Sequence, residues 1–351
     1  MAARTRLGTV ARRLGQAVPA LFGVIVVTFL LTRALPGDPA AYFAGPAADA
    51  KSIAQIRESL GLDRPLPEQF LYYLKDLVRG DLGMSISTGQ PVADELIRRL
   101  PASLELTFFA LLLSVLIAVP MGVLAATRPG KPIDHICRFI VTAGVSLPTF
   151  FTGLALVFVF YYLLGWAPSP LGRLDFAYLS PPAVTGFYVI DALLAGDLET
   201  AWAALAQLTL PAITLALFTL APLARMTRAS MLQVLSSEFI RTARAAGLSG
   251  GTVLGTYAFR NAVLPVVTTL GMVFSFTLGA NVLVEKVFAW PGIGSFAVEA
   301  LVVSDYAAVQ GFVLSMAVLF DERVMPCPRQ PQPCFRPATC RTSTSAPSPC
   351  G

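Results

Sequence analysis

Six long apolar segments constrain the fold of this chain more than any other feature of its sequence. They cover residues 14–35, 102–127, 139–165, 205–224, 262–284 and 307–320. A helix needs about 20 apolar residues to cross the hydrocarbon core of a bilayer, and the first five segments reach or approach that length. Only 13% of the residues are charged, against about 25% in an average soluble chain. The sequence therefore predicts an all-α polytopic membrane protein with six transmembrane helices.

The N-terminal tail carries four arginines and continues into the first apolar segment. A cleaved signal peptide begins in the same way, but its apolar core spans about 7–15 residues and ends at a small-residue cleavage site. The segment here is longer and runs into "TRALPGDPA". We therefore expect a cytoplasmic tail over 1–13 and an uncleaved first span over 14–35.

The charges of the loops predict the orientation of the spans. Arginine and lysine outnumber acids in the N-terminal tail and in loops 128–138 and 225–260, whereas acids predominate in loops 166–204 and 285–306. Cytoplasmic loops of membrane proteins carry the excess of basic residues, so we expect the N-terminus in the cytoplasm. The net charge of +5 follows from this arrangement, and we expect no nucleic-acid partner.

The loop over 36–101 is long enough to fold outside the membrane. Its stretches "SIAQIRESLGL" and "PLPEQFLYYLKDLVRG" carry apolar residues at helical spacing, and each is closed by a glycine. We therefore expect a helical extracytoplasmic loop domain after the first span. The pattern leaves open whether these helices form a packed cap or a docking surface.

The chain lacks the motifs of common catalytic and nucleotide sites. Its only histidine is His135, and it has no H-E-x-x-H, G-x-S-x-G or G-x-x-x-x-G-K-[ST] pattern. Gly292, Gly294 and Ala297 match part of a dinucleotide motif, but that motif needs a preceding strand, and a simple turn is the alternative. Four of the five cysteines lie in the last 25 residues at spacings that fit no metal site. We expect neither catalysis nor a metal or cofactor in this chain.

The interiors of the predicted spans contain almost no ionisable groups. Arg33 and Glu105 lie near span ends, and no such group lies in the middle of a span. Ionisable residues inside a membrane commonly mark proton or ion pathways. The sequence therefore shows no ion coupling, so uphill transport would draw its energy from another chain. A stand-alone secondary carrier or channel and an intramembrane enzyme are the alternative classes.

A short basic stretch, "SSEFIRTARAAG", interrupts the apolar sequence between the fourth and fifth spans. A serine at 236 or 237 can cap a helix here, and Gly247 can end it. The spacing predicts one small apolar face formed by Phe239, Ala243 and Ala246. From the pattern alone, the helix could rest on lipid headgroups or dock to a protein partner.

"EFIRTARAAGLS" and the later "RNAVLP" closely resemble the cytoplasmic signature loop of ABC importer permeases, in particular of the peptide-transport branch. Ala246 stands where that branch often has lysine. The stretches "ALPGDPA", "RLPASLELT" and "VEKVFAWPGIGSFAVEALVVSDY" extend the resemblance over residues 8–320. The chain thus resembles the first of the two permeases in dipeptide, oligopeptide and nickel importers, the subunit with the large outer loop.

This resemblance implies a type I ABC importer permease fold with a core over 102–320, in the inner membrane of a bacterium. It implies a heterodimer with a second permease, two cytoplasmic ATPases that bind ATP and magnesium, and an external binding protein. Loop 225–261 would carry the helix that one ATPase grips, with small residues that permit close approach. The residues expected at this contact are Glu238, Arg241, Thr242, Ala243, Ala245, Gly247 and Leu248.

The resemblance leaves the substrate open among dipeptides, oligopeptides, glutathione and a nickel chelate. The outer segment between the fifth and sixth spans carries a Pro-Gly turn among aromatic residues. We expect it to fold back toward the pathway. An outer gate or a contact with the binding protein would then involve Phe288, Trp290, Pro291 and Gly292. A short cap that only packs is the alternative.

The sequence departs from the family pattern after Phe320. The sixth apolar segment has 14 residues, about 21 Å of helix, which is short of the roughly 30 Å hydrocarbon core. Three charged residues and a proline-rich stretch follow it. We expect residues 321–351 to be a disordered tail without function, created by a reading-frame change or an artificial junction. A metal-binding role for its cysteines is the alternative.

Overall fold

The computed structural model describes residues 18–19, 21–31, 33, 39–45, 48–59 and 61–320, so both predicted tails lie outside the described residues. Within these residues every regular element is a helix, and an isolated bridge pairs Met84 with Pro91. The helices are α1 (Leu21–Leu31), α2 (Pro39–Ala44), α3 (Ala50–Ser59), α4 (Leu66–Val78), α5 (Val92–Thr127), α6 (Pro132–Val145), α7 (Thr149–Leu156, with a π-helix over Val157–Leu163), α8 (Tyr188–Leu194), α9 (Leu198–Leu235), α10 (Glu238–Ala245), α11 (Gly250–Thr252, with a π-helix over Val253–Phe259), α12 (Arg260–Val287), α13 (Ile293–Val302) and α14 (Tyr306–Phe320). The predicted all-α class is confirmed.

Three helical stretches are long and apolar enough to cross a membrane, namely α5, α9 and the continuous run from α11 to α12. A fourth candidate is a bent pair, in which α6 and the extended α7 meet at 97°. The helices α1, α13 and α14 are apolar but shorter. Within the described residues the structure supports a multi-pass membrane protein, while the count of six spans stays a prediction.

The third span was predicted as one continuous helix over 139–165, and that prediction is wrong. The helix α6 ends at Val145 and α7 begins at Thr149, directly after Pro148. Proline has no backbone N–H and disfavours a helical conformation in the residue before it, here Leu147. The apolar composition continues through this break, so hydropathy alone did not reveal the change of direction.

The helices α5 and α9 extend well beyond the predicted spans that they contain. The helix α5 begins at Val92, before the predicted start at 102, and α9 extends beyond both ends of the predicted fourth span. Val92 and Leu96 are buried, and Glu95 pairs with two arginines on the same helix. These amphipathic turns continue the helix beyond the apolar segment, and a hydropathy criterion does not detect them.

The helices α5, α9 and α12 pack together at the centre of the structure. Along α5, Ala118, Gly122 and Ala126 are buried at a spacing of four residues. A Cβ atom on Gly122 would lie 2.6 Å from the Cβ atom of Thr227 in α9. Small residues of this kind let two membrane helices approach each other closely.

The large outer loop contains α3 and α4 where the two helical patterns predicted them. The side chain of Gln69 joins α4 to the link after α3, because its Nε2 donates to the carbonyls of Leu62 (3.0 Å) and Arg64 (2.8 Å). A tight turn precedes α5, where the N–H of Ser85 donates to the carbonyl of Gln90. The position of this loop outside the membrane stays a prediction.

Candidate functional site

The basic stretch between the fourth and fifth spans forms the short helix α10, as predicted. Ser237 is the N-cap residue, but its hydroxyl donates to the carbonyl of Val234 in α9 (2.5 Å) and not to α10. Glu238 lies in the first turn, where a negative charge suits the positive end of a helix. The turn into α10 is therefore held by a bond to the end of α9.

One side of α10 packs on the rest of the chain. Ile240 and Ala243 are 0% and 6% exposed. They share a buried cluster with Ala126, Met231, Val253, Ala258 and Ala262. The cluster connects α10 to α5, α9 and the start of α12. A displacement of α10 would therefore also displace buried residues of these three long helices.

The three residues of the predicted apolar face of α10 do not share one environment. Phe239 and Ala246 are exposed, and only Ala243 of the predicted face is buried. The small side chain of Ala243 allows close approach to its own chain, whereas the resemblance implies close approach of a partner at this position. The short pattern was compatible with more than one inward face, and packing against Met231 and Val253 selects the one that contains Ile240.

The opposite side of α10 is open to contact. Its exposed residues are Glu238, Phe239, Arg241, Thr242, Arg244 and Ala245, followed by Leu248. Arg241 donates to Glu238 at 2.8 Å, with both side chains well exposed. Such a pair contributes about 0–1 kcal/mol, so the guanidinium can exchange Glu238 for another acceptor at little cost.

Gly247 ends α10 in a left-handed conformation with φ +77°. Its N–H donates to the carbonyl of Arg244 (3.0 Å), and the N–H of Leu248 donates to that of Ala243 (3.3 Å). This pair of bonds forms a Schellman motif, which commonly ends helices at glycine. A Cβ atom at position 247 would meet no atom within 4 Å. The backbone conformation alone therefore selects glycine, and it sets the direction in which the chain leaves α10.

A partly buried ion pair joins α6 to α9. Nε and Nη2 of Arg228 donate to the two carboxylate oxygens of Asp134 at 2.7 Å each, and the N–H of Gly130 donates to Oδ2 at 3.0 Å. Two parallel bonds between arginine and a carboxylate combine strength with fixed geometry. Sequence reasoning missed this pair because 94 residues separate the partners.

The aromatic residues predicted for an outer gate are buried within the chain. Phe288 and Trp290 are 3% and 1% exposed, and Nε1 of Trp290 donates to the carbonyl of Ala102 at 2.9 Å. Pro291 is exposed. The segment folds back onto α5, and the burial of its aromatic rings favours the packed cap over a contact with another protein. A role in gating stays a prediction.

The buried carboxylate of Glu285 organises this fold-back. The hydroxyl of Ser103 donates to Oε1 (2.6 Å), and the N–H of Ser295 donates to Oε2 (2.8 Å). The same hydroxyl accepts the N–H of Ile293 (2.9 Å). A Cβ atom on Gly292 would lie 2.2 Å from Oε1, so only glycine fits there. The carboxylate thus joins α5, α12 and the start of α13, which no local pattern in the sequence indicated.

A second buried carboxylate, Asp305, anchors the large outer loop to α14. Its Oδ2 accepts the hydroxyl of Ser85 (2.6 Å) and the N–H of Ile86 (2.7 Å). Its Oδ1 accepts the N–H of Ala308 (3.1 Å), which caps α14. Ser85 and Asp305 are 220 residues apart in the chain, so this anchor was also absent from the sequence prediction.

Glu105 is not an open ion-binding group. Its Oε2 accepts Nη2 of Arg173 (2.5 Å), and its Oε1 accepts the N–H of Val189 (3.0 Å). Arg173 also donates to the carbonyl of Gly186 (2.7 Å) and lies 3.6 Å from the ring centroid of Tyr188. These contacts fix the third loop on the end of α5.

Metal and dinucleotide sites find no support among the residues that the structure describes. No group of three or more histidine, cysteine, aspartate or glutamate side chains in this part of the chain could hold a metal ion. The glycines of the partial dinucleotide motif follow the helix α12 and not a strand. The C-terminal cysteines lie outside the described residues.

Long apolar helices with a short, partly exposed helix between two of them indicate a multi-pass membrane protein. Residues 118–320 match the family "Binding-protein-dependent transport system inner membrane component", and residues 7–107 match the N-terminal model of such components. The chain therefore belongs to this family of ABC importer permeases. The match to the main family model ends at residue 320, the residue after which the sequence is expected to depart from the family pattern.

Several named permeases are similar to this chain over most of their length. The chain is 46% identical to the probable D,D-dipeptide transport system permease protein DdpB of Escherichia coli K12, over 85% of this chain and 87% of that protein. It is 42% identical to the di/tripeptide transport system permease protein DppB of Pseudomonas aeruginosa UCBPP-PA14, over 89% and 93%. It is 38% identical to the glutathione transport system permease protein GsiC of Escherichia coli CFT073, over 90% and 93%. These similarities confirm the predicted family.

Proposed function

We propose that this chain pairs with a second permease to form the membrane pathway of an importer for dipeptides or short oligopeptides. The substrate class is supported by relatives that are named as D,D-dipeptide and di/tripeptide permeases. An external binding protein delivers the peptide, and two cytoplasmic ATPases bind ATP and magnesium and supply the energy. The family description, which names binding-protein-dependent transport, supports such an assembly.

In this assembly α10 connects the pathway to one ATPase. The observation that carries the proposal is the division of α10 into two sides. Ile240 and Ala243 hold the helix on its own chain, while the other side is exposed. Movement of an ATPase is thereby passed to α9 and α12 through the buried cluster. The residues proposed to contact the ATPase are Glu238, Arg241, Thr242, Ala245, Gly247 and Leu248, with Ala243 acting from the inner side.

The chain is oriented with its N-terminus and α10 in the cytoplasm. The excess of arginine and lysine in the N-terminal tail and in loops 128–138 and 225–260 supports this orientation, because cytoplasmic loops retain such residues. The same orientation places the large outer loop and the Glu285 network on the side that receives the binding protein.

Glutathione is the second candidate substrate. A relative named as a glutathione permease is 38% identical to this chain, although the two peptide permeases above have higher identity. A competition assay of uptake distinguishes glutathione from dipeptides as the substrate. If an excess of glutathione abolishes uptake of a labelled dipeptide and labelled glutathione is itself taken up, glutathione is a substrate of the same system. If neither occurs, the dipeptide assignment stands alone.

Reversing the charges on the exposed side of α10 tests the assignment. We would reconstitute the complete importer in liposomes with the double variant R241E/R244E. Substrate-stimulated ATP hydrolysis and peptide uptake should fall by about tenfold or more, because like charges at a contact oppose binding. Pairing with the second permease and membrane insertion should persist.

The matched control is Lys51→Glu, which reverses an exposed charge on α3. This variant should retain ATP hydrolysis and uptake. Normal uptake by the R241E/R244E importer would refute the role of α10, whereas loss of the permease from the membrane would show a defect in folding.

A further inference from the structure

A narrow crevice lies between α5, α6 and α9, and three arginines line it. They are Arg138 of α6 and both Arg225 and Arg228 of α9. The rest of the lining is apolar or small, as at Gly122 and Ala125 of α5. The crevice has a volume of 30 Å³, which is room for about two water-sized groups. It can therefore take only a small part of a larger ligand.

Two contacts fix α6 beside α9. Near the start of α6, Asp134 accepts two hydrogen bonds from Arg228 at 2.7 Å each. Nearer the end of α6, a Cβ atom on Gly144 would lie 3.2 Å from the carbonyl oxygen of Leu217 in α9. Between these two contacts the residue numbers rise along α6 and fall along α9. The two helices therefore run antiparallel and side by side.

Arg138 and Arg225 lie at the same level of this helix pair. Arg138 follows Asp134 by four residues, and Arg225 precedes Arg228 by three. Residues at these spacings are neighbours on one side of a helix. Because the helices are antiparallel, both steps lead in the same direction from the ion pair. The fold therefore brings the two arginines to one level, where both line the crevice and both are exposed.

The positive charges of this arginine cluster are not balanced within the described part of the chain. The carboxylate of Asp134 already binds Arg228 through both of its oxygens. Nε of Arg225 donates to the carbonyl of Ala221 in its own helix (3.2 Å). Among the residues that the structure describes, neither Arg138 nor Arg225 forms an ion pair. Two guanidinium groups at one level repel each other, and an anion between them would offset this repulsion.

The surroundings of the two arginines indicate lipid. The apolar segment 139–165 begins directly after Arg138, and the apolar segment 205–224 ends directly before Arg225. On the same helix α6, Phe139 is 74% exposed and Ile136 is also exposed. Large apolar side chains at such positions face the bilayer, and arginines near the ends of membrane helices extend to the headgroups. Basic crevices between membrane helices at this level bind anionic headgroups.

We propose that Arg138 and Arg225 together bind the phosphate of an anionic phospholipid. Their guanidinium groups donate to the phosphate oxygens, while Arg228 stays on Asp134 and keeps α6 beside α9. A headgroup of net negative charge fits better than a zwitterionic one, whose ammonium group would meet the same two positive charges. Under the proposed orientation this lipid belongs to the cytoplasmic leaflet. It joins α6 to α9, the helix that leads into α10, at a site apart from the proposed ATPase contact.

Titration of the purified permease heterodimer in detergent with dioleoylphosphatidylglycerol, read by native mass spectrometry, tests this proposal. The double variant R138Q/R225Q should lower the affinity by about 5–30-fold, because each basic residue near a headgroup contributes about a factor of five. R138K/R225K keeps both charges and should keep most of the affinity. The matched control K75Q/R79Q removes the same charge from exposed positions on and next to α4 and should leave the affinity unchanged. Dioleoylphosphatidylcholine should bind the native heterodimer about fivefold or more weakly.

Equal affinity of the native and R138Q/R225Q heterodimers for phosphatidylglycerol would overturn the site, as would equal binding of the two phospholipids. If the double variant has a lowered melting temperature, the single variant Arg138→Gln decides, with an expected loss of about fivefold, and native affinity in that variant would overturn the site. Displacement of the lipid by millimolar inorganic phosphate would assign the arginines to free phosphate and refute the lipid. These titrations measure the heterodimer alone, so their outcome does not depend on which substrate the importer transports.

Discussion

Replacement of Gly247 should weaken coupling through backbone strain and not through a clash. The residue has φ +77°, and a Cβ atom there would meet nothing within 4 Å. A residue other than glycine pays about 1–2 kcal/mol for the left-handed conformation, with asparagine among the residues that tolerate it best. Valine, which is branched at Cβ, should be the most strained in this conformation.

The size of the expected effect follows from this strain. A change of 1–2 kcal/mol lowers the population of the closed Schellman turn, relative to the open one, by a factor of about 5–30. Because that turn directs Leu248 and the chain that follows it, α10 would present a frayed end to its partner. The expected order of activity is Gly247, then Gly247→Asn, then Gly247→Ala and finally Gly247→Val.

Substrate-stimulated ATP hydrolysis by the reconstituted importer measures the effect, with the melting temperature of the permease as a second reading. Gly251→Ala is the matched control, because Gly251 lies in the nearby helix α11 with open space around it and without a positive φ. Alanine there should leave ATP hydrolysis unchanged and raise stability slightly. Equal loss of activity in Gly247→Asn and Gly247→Val would refute the reasoning, and so would full activity of Gly247→Val.

Three further predictions concern buried carboxylates. Gly292→Ala would place a Cβ atom 2.2 Å from Oε1 of Glu285, and the melting temperature should fall by an amount that corresponds to about 1–3 kcal/mol. Asp305→Ala removes the acceptor of the Ser85 hydroxyl, and limited proteolysis of the outer loop should accelerate because each unpaired buried donor costs about 1–3 kcal/mol. Burial disfavours the charged form of Asp191, but hydrogen bonds from residues 184–186 outweigh it and hold the pKa of Asp191 below its usual value. That stabilisation is present above the unfolded pKa of about 3.9 and is lost as the pH falls through the folded pKa. Hydrogen exchange of the amides that donate to Asp191 should detect this loss.

Each of these predictions has its own control and its own contrary result. Gly279→Ala changes a glycine of α12 with open space around it and should keep the native melting temperature, whereas an equally stable Gly292→Ala would contradict the close contact. Unchanged proteolysis of Asp305→Ala would show that other contacts hold the outer loop. In Asp191→Asn the pH response should vanish after correction for intrinsic exchange, and its persistence would assign the response to another group.

Local chemistry in the sequence determined which segments are helical and where some of them end. The apolar segments are found in α5, α9, α12 and α14, and the amphipathic patterns of the outer loop are found in α3 and α4. The stretch "SSEFIRTARAAG" forms α10, which ends just before Gly247 in the predicted way. These features depend on residues within one or two helical turns, so they could be predicted without knowledge of the fold.

Only the tertiary structure decided which side of each helix packs and which distant residues meet. Ile240 of α10 is buried and Phe239 is exposed, which the sequence pattern did not specify, because packing on the neighbouring helices selects the inward side. Glu285 and Asp305 looked like ordinary charges of an outer loop, yet each joins segments that lie 182 and 220 residues away. Apolar periodicity and capping describe a residue's near neighbours, whereas the partners of a buried carboxylate depend on the path of the whole chain. The sequence therefore determined the helices and the family resemblance, while the fold decided the packed outer cap, the exposed side of α10 and the crevice lined by Arg138, Arg225 and Arg228.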